Sequence, residues 1–124
     1  MATKTVLLAE DEQDHRNIIS TLLTHHGYRV VEAQDGEEAV RLTLDERPDL
    51  VLMDAGLPGM DGWEATARVK KEVQTSGIPV VVVTVHTQDT DRLKAEAAGC
   101  DGFIPKPTEP SVILEEVRQR IGPP

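Results

Sequence analysis

Residues 49–63 read DLVLMDAGLPGMDGW, an apolar run that ends on Asp54 and continues into a loop rich in glycine and proline. The apolar run has the length of a buried strand, and glycine and proline are typical of the turn that follows a strand. A carboxylate at the end of a buried strand is unusual chemistry. Whether Asp54 has a functional role depends on which residues stand at the ends of the other strands.

Five short runs rich in apolar and β-branched residues predict strands, of which the last is the weakest. They are TVLLAE (5–10), YRVVEA (28–33), DLVLMD (49–54), IPVVVVTV (78–85) and DGFIP (101–105). Three of them are apolar without alternation, which indicates strands covered on both faces, as in parallel sheets flanked by helices. Segments with helical spacing separate the runs. The helix predicted over residues 87–99 should be the loosest, because Leu93 is its one large apolar anchor.

This alternation predicts one α/β domain over residues 1–124. We expect a doubly wound, flavodoxin-like sheet of five parallel strands in the order 2-1-3-4-5, with five helices. In such sheets, ligands bind beyond the carboxyl ends of the strands. The pattern therefore indicates where a functional site should lie before any motif is considered.

Composition excludes several classes of function. The chain has 13 Lys and Arg against 22 Asp and Glu, a net charge of −9, which argues against direct nucleic-acid binding. Its apolar runs are too short to span a membrane, and acidic residues follow the N-terminus too soon for a signal peptide. A single cysteine, Cys100, fits a reducing compartment. We therefore expect a cytoplasmic protein without membrane insertion.

Polar residues stand at the ends of four predicted strands: Glu10 and Asp11, Asp54, Thr84 and Lys106. In the order 2-1-3-4-5, strands 1 and 3 are neighbours, so the three carboxylates should lie close together. Like charges at such range are costly unless a cation is present, and oxygen ligands with room for water suit Mg²⁺. The strand ends therefore predict a magnesium site.

Each of these residues also has an ordinary structural explanation. Asp11 could cap the first helix, and Asp54 could bond the turn that follows it. Thr84 suits a strand because it is β-branched, and Lys106 could be a solvated surface charge. Polar groups of complementary type at four strand ends nevertheless favour a functional site over four separate coincidences.

Taken together, these residues resemble the receiver domain of two-component response regulators, of the kind found among chemotaxis regulators. The resemblance covers the whole chain. It rests on Glu10-Asp11, on LMDAGLPGMDG around Asp54, on Thr84 and on Lys106-Pro107.

The resemblance implies that Asp54 accepts a phosphoryl group from a sensor histidine kinase or a histidine phosphotransfer protein. It also implies that Mg²⁺ is held by Glu10, Asp11, Asp54 and the backbone carbonyl of Gly56. The mixed anhydride on Asp54 would be hydrolysable, so the modification would be temporary. The chain would catalyse its own phosphorylation and dephosphorylation only.

The resemblance further implies a switch that acts on a downstream protein target. Lys106 and the Thr84 hydroxyl would neutralise and contact the phosphoryl group, and a cis peptide bond at Pro107 would aim Lys106 into the site. Movement of Thr84 would accompany inward rotation of Phe103, changing the surface formed by helix 4, strand 5 and helix 5. The ordinary alternative for Phe103 is a place in the core.

Three positions flank the expected phosphoryl group. The residue after the threonine is usually small in this family, whereas here Val85 could narrow access to Asp54. We hypothesise that Gly56 leaves an attacking water unobstructed and that His86 affects its approach. Val85 is also the one departure that favours an alternative, a degenerate receiver that binds partners without phosphorylation.

Two further alternatives share features of the fold. A flavodoxin-like electron carrier would cradle a cofactor phosphate after strand 1, where this chain has the repelling sequence EDEQD (10–14). A phosphatase of the haloacid-dehalogenase type would need an Asp-x-Asp pair at the same place, and none stands there. The 124 residues contain no output domain, so we expect either a stand-alone regulator or a receiver cut from a longer protein.

Overall fold

Five strands alternate with five helices in the computed structural model, which describes residues 3–85 and 89–124. The strands are β1 (Thr5–Ala9), β2 (Arg29–Ala33), β3 (Leu50–Asp54), β4 (Val80–Thr84) and β5 (Gly102–Pro105). The helices are α1 (Gln13–His25), α2 (Gly36–Glu46), α3 (Gly62–Lys71), α4 (Asp89–Ala98) and α5 (Pro110–Ile121). Within the described ranges, no helix has the length and apolar composition needed to cross a membrane.

The strands form one parallel sheet in the order β2-β1-β3-β4-β5, which confirms the predicted topology. β3 lies at the centre, between β1 and β4. Ala9 at the end of β1 is paired with Met53, and Asp54 at the end of β3 is paired with Val83. The carboxyl ends of the three central strands therefore meet at one edge of the sheet.

Both faces of the sheet are buried, which explains the continuous apolar runs. Val6 and Leu8 belong to a core that includes side chains of α1 and α5. Their neighbours Leu7 and Ala9 point the other way, into a core with side chains of α2 and α3. Because successive residues of a strand face opposite sides, a strand covered on both faces has to be apolar throughout.

The observed strands are shorter than the predicted ones by one to three residues. Pro79 lacks an amide hydrogen and contributes only its carbonyl, which accepts from Val51 N at 2.9 Å, so β4 begins at Val80. Tyr28 precedes β2, and its hydroxyl donates to the Gly122 carbonyl at 2.6 Å. Val85 falls just outside β4.

Helix α4 is present, but its anchor differs from the prediction. Leu93 is 65% exposed and does not hold the helix to the core. The helix instead buries Ala95 and Ala98, which lie three residues apart on one face. The choice of Leu93 as anchor was wrong because it ranked side chains by size, whereas α4 buries two alanines and Asp91. The predicted start of this helix at residues 87 and 88 lies outside the described residues.

The C-terminal end of α5 lies beside the amino ends of β1 and β2. The Lys4 ammonium group contacts the Ile121 carbonyl, and Tyr28 donates to the next carbonyl, that of Gly122. These contacts are at the edge of the sheet opposite Asp54. The last helix is therefore tied to the first strand.

Candidate functional site

The loop after β1 holds the first two carboxylates. Glu10 is 3% exposed, and its amide donates to the Ala33 carbonyl of β2 at 3.0 Å. The buried guanidinium of Arg16 donates to the backbone carbonyl of Glu10 at 2.9 Å and contacts that of Asp11 at 3.5 Å. Helix α1 has Glu12, not Asp11, at its N-cap, so capping does not explain Asp11.

The third carboxylate, Asp54, ends the central strand. Its Oδ1 accepts from the Gly56 amide at 3.1 Å, so the ordinary role of bonding the following turn is also fulfilled. The turn folds back tightly, because the Gly62 amide donates to the Ala55 carbonyl at 3.0 Å. A Cβ atom on Gly62 would lie 2.1 Å from the Asp54 carbonyl oxygen, so glycine is required where α3 begins.

The structure brings Glu10, Asp11 and Asp54 together, with a carboxylate oxygen of each within 4.8 Å of the others. Lys106, which follows β5, contacts the same cluster. Its ammonium group donates to Glu10 Oε1 at 2.9 Å and to Asp54 Oδ2 at 3.2 Å. Lys106 is thus not a solvated surface charge but the cation shared by two carboxylates.

The charges of the cluster shift its pKa values in opposite directions. Burial raises the pKa of Asp54 to about 6, with help from Glu10 and against the opposing influence of the Gly56 amide and Lys106. Burial alone would also raise the pKa of Glu10, but hydrogen bonds with Asp54, His15 and Lys106 outweigh it and lower that pKa to about 2. The pair therefore holds a proton on Asp54 more readily than on Glu10.

Residues at the end of β4 complete the site. Thr84 is buried, and its backbone carbonyl accepts from the Lys106 amide at 2.6 Å, which joins the ends of β4 and β5. The peptide bond between Lys106 and Pro107 is cis. Val85 is 63% exposed and lines, with Asp54, Thr84 and Lys106, an open cleft of about 420 Å³.

Phe103 and His86 are the two remaining residues predicted for the site. Phe103 on β5 is 36% exposed, so the core explanation for this aromatic ring is wrong. It lies on an outer face because residues of the edge strand β5 alternate between the core, which takes Ile104, and the surface. His86 lies outside the described residues, and its influence on an attacking water stays a prediction.

Sequence reasoning missed two residues of α1 that support the site. Nδ1 of His15 contacts Oε1 of Glu10, and Arg16 binds the backbone of the same residue. A signal for Arg16 was available, because it stands three and seven residues before Ile19 and Leu23, on the buried face of α1. A cation that extends an apolar stripe toward an acidic loop indicates a structural partner for that loop.

The donor set of the cluster fits a small divalent cation. It consists of carboxylate oxygens, which are the ligands that Mg²⁺ prefers, and Gly56 and Asp11 are exposed enough to leave room for water. The cleft beside Asp54 opens to solvent, and Lys106 is one of the residues that line it. The arrangement can bind a cation and an anionic group next to each other.

Comparisons with known proteins agree on the family. The sequence profile of the response regulator receiver domain matches residues 6–118. The chain is 33% identical over 112 residues to the protein PilH of Pseudomonas aeruginosa, which covers 90% of this chain and 93% of PilH. It is also 33% identical to the phosphate regulon transcriptional regulatory protein PhoB of that organism, covering 99% of this chain and 55% of PhoB.

A solved structure agrees with the fold. The receiver domain of the sensor histidine kinase PA1611 from Pseudomonas aeruginosa superposes with a TM-score of 0.89 and 30% sequence identity. The match covers 98% of this chain and 99% of that domain, which was solved with a magnesium ion coordinated in its active-site cleft.

Proposed function

Because this chain belongs to the response regulator receiver domain family of two-component signalling proteins, we propose that Asp54 accepts a phosphoryl group from a phosphohistidine donor in the presence of Mg²⁺. One observation carries the proposal. Asp54 ends the central strand beside two other carboxylates, and the Lys106 ammonium group lies 3.2 Å from its Oδ2. A positioned nucleophile next to a fixed cation is what phosphoryl transfer requires.

Four groups of this chain would hold the metal ion: the carboxylates of Glu10, Asp11 and Asp54 and the backbone carbonyl of Gly56. The close approach of the three carboxylates supports this assignment. When bound, Mg²⁺ would offset negative charge on these carboxylates and on the oxygens of the transferring group. The magnesium ion in the PA1611 receiver domain supports the same choice of cation.

In the proposed transfer, an oxygen of Asp54 attacks the phosphorus atom of the donor. The new P–O bond forms as the P–N bond to the donor imidazole breaks, and the imidazole keeps that electron pair and takes up a proton. Lys106 faces the attacked group as a fixed positive charge, and the Thr84 hydroxyl contacts a phosphoryl oxygen. Water later attacks phosphorus, and inorganic phosphate leaves with the Asp54 carboxylate restored. The chain catalyses only its own modification.

We propose that Thr84 and Phe103 couple phosphorylation of Asp54 to a change elsewhere on the surface. The end of β4 is joined to Lys106 by the 2.6 Å bond to the Thr84 carbonyl, and Phe103 lies exposed on the neighbouring strand. Inward rotation of Phe103 would change the surface of α4, β5 and α5, which a downstream protein would read. A sensor histidine kinase or a histidine phosphotransfer protein would supply the phosphoryl group.

The alternatives have less support. The family match favours a receiver over a flavodoxin-like electron carrier or a haloacid-dehalogenase-type phosphatase. A degenerate receiver remained an alternative because of Val85. That side chain lines the cleft but is 63% exposed, and the carboxylates and Lys106 are all in place behind it. We therefore do not favour a receiver without phosphorylation.

Intact-mass spectrometry tests the proposal. The protein is incubated with Mg²⁺ and acetyl phosphate, and we expect one added phosphoryl group, which a chelator abolishes. Asp54→Asn should show no addition, since the amide removes the nucleophilic oxygen. Asp45→Asn, which changes an exposed carboxylate on α2, is the matched control and should react like the wild type. Equal labelling of Asp54→Asn and wild type would contradict the assignment, and so would a wild type and a Val85→Ala variant that both stay unlabelled.

A further inference from the structure

The imidazole of His15 lies against the most buried carboxylate of the site. Its Nδ1 contacts Oε1 of Glu10, the oxygen that also accepts from Lys106 at 2.9 Å. The other oxygen, Oε2, has a weaker contact with the Glu12 amide at 3.3 Å. His15 stands in the first turn of α1, close enough to solvent to line a groove beside the site.

The direction of the histidine hydrogen bond follows from the partners of Oε1. An ionised carboxylate has no hydrogen to donate, and this oxygen already accepts from an ammonium group. Nδ1 of His15 therefore carries the hydrogen and donates it to Glu10.

Neighbouring residues hold the two parts of Glu10 separately. Arg16 binds its backbone carbonyl at 2.9 Å, and His15 binds its side chain. Lys106 also binds the side chain, but it divides its donors between Glu10 and Asp54. A phosphoryl group on Asp54 would draw the Lys106 ammonium group toward itself, because it brings additional negative charge.

We propose that His15 is a positioning residue for the Mg²⁺ site, and that its Nδ1–H holds the Glu10 carboxylate in the orientation that faces Asp11 and Asp54. The inference rests on the proposed function, since it concerns the same cation. Carboxylates that bind metal ions are themselves held by hydrogen bonds, and losing such a bond typically costs ten- to hundredfold in metal affinity. His15 would supply this bond even when Lys106 turns to a phosphoryl group.

A magnesium titration tests the proposal. Trp63 is the single tryptophan and lines the cleft with Asp54, so its fluorescence reports binding without any phosphorylation. We expect His15→Leu, which keeps bulk but removes the donor, to weaken Mg²⁺ binding about tenfold. His15→Asn should restore most of the affinity, because its amide N–H stands close to the place of Nδ1–H. His25→Leu, at the exposed end of α1, is the control and should bind like the wild type.

The outcomes of this titration distinguish this inference from the proposed function. If the wild type and His15→Leu bind Mg²⁺ equally, or if His15→Asn binds as weakly as His15→Leu, the positioning role is overturned while the proposed function stands. If the wild type does not bind Mg²⁺, both are overturned. Urea unfolding without metal shows whether a weaker affinity of His15→Leu reflects loss of the fold.

A spectroscopic measurement on the wild type needs no variant. Nitrogen-15 NMR of the histidine rings distinguishes a protonated Nδ1 from a bare one. We expect the His15 ring to carry hydrogen on Nδ1. A ring with hydrogen on Nε2 alone would overturn the proposal, because a bare Nδ1 cannot donate to a carboxylate.

Discussion

Asp54 occupies a position that is costly for a carboxylate. It lies in the same buried cluster as Glu10, and Lys106 is the cation that both share. The pKa of Asp54 is raised to about 6, so ionising this residue at neutral pH works against the fold. The fold keeps the carboxylate in place despite that cost.

Replacing Asp54 by asparagine should therefore stabilise the metal-free protein. The folded-state pKa of about 6 lies above the ordinary value of 3.8, so the folded protein binds more protons than the unfolded chain between those values. The contribution of Asp54 to the free energy of unfolding therefore falls as the pH rises from 3.8 to about 6, and it stays low at higher pH. At about pH 7.5 we expect Asp54→Asn to raise the free energy of unfolding by about 1–2 kcal/mol.

Urea unfolding at several pH values measures this difference. The advantage of Asp54→Asn should shrink as the pH falls below about 6 and vanish below about pH 3, where the wild-type carboxyl is protonated in both states. Asp45→Asn, at an exposed site, should show little change at any pH. A variant that is less stable than the wild type at neutral pH would mean that the attraction of Lys106 exceeds the cost of burial and of the charge on Glu10.

The connection between β3 and α3 is the element on which the position of Asp54 depends most directly. Gly62 opens α3 against the backbone of β3, and a Cβ there would lie 2.1 Å from the Asp54 carbonyl oxygen. A backbone atom in a central strand cannot move aside cheaply. The start of α3 and the end of β3 are therefore packed too closely for a side chain at position 62.

Gly62→Ala should destabilise the protein by about 2 kcal/mol or more, because the added methyl group overpacks this contact. Gly77→Ala is the matched control, since a Cβ at Gly77 meets no atom within 4 Å. We expect that control to stay within about 0.5 kcal/mol of the wild type or to gain slightly. Urea unfolding compares the two, and equal stabilities would show that α3 can shift away from β3 at little cost.

The elements also show what sequence could and could not predict. Strand number, order and the meeting of Glu10, Asp11 and Asp54 followed from apolar runs and from the residues at their ends. Strand lengths were less predictable, because a residue such as Pro79 is apolar but cannot donate to the ladder. The exposure of Leu93 depends on which face of α4 meets the sheet, and that is decided by tertiary packing.

Side-chain partners inside the site were the least predictable feature. His15 lies five residues after Glu10, and this spacing does not predict a contact because the loop between the two residues is irregular. Arg16 stabilises the conformation of this loop by binding the backbone carbonyls of Glu10 and Asp11. Such contacts depend on loop conformation, whereas periodicity describes only regular elements.

At the scale of the whole molecule, negative side chains outnumber positive ones. With a net charge of −9 on 124 residues, the excess negative side chains repel one another in the folded state and destabilise it. Adding NaCl from about 0.01 M to about 0.3 M shortens the screening length several-fold, so we expect the free energy of unfolding to rise by about 1 kcal/mol. Urea unfolding at each salt concentration measures the effect.

A charge variant provides the control for this prediction. Glu96→Lys changes an exposed residue of α4 and reduces the net charge by two units, so its dependence on salt should be weaker than that of the wild type. A fall in stability with salt would point instead to local ion pairs, such as the 2.8 Å pair between Arg29 and Glu46, as the larger contribution.

The tie between the last helix and the first strand has a practical consequence. Lys4 and Tyr28 bind the carbonyls of Ile121 and Gly122 at the edge of the sheet opposite the carboxylates. A tether attached near either terminus would therefore leave the molecule from the same side. Immobilised on a sensor chip through such a tether, the protein would present Asp54 outward, open to any large partner flowing past.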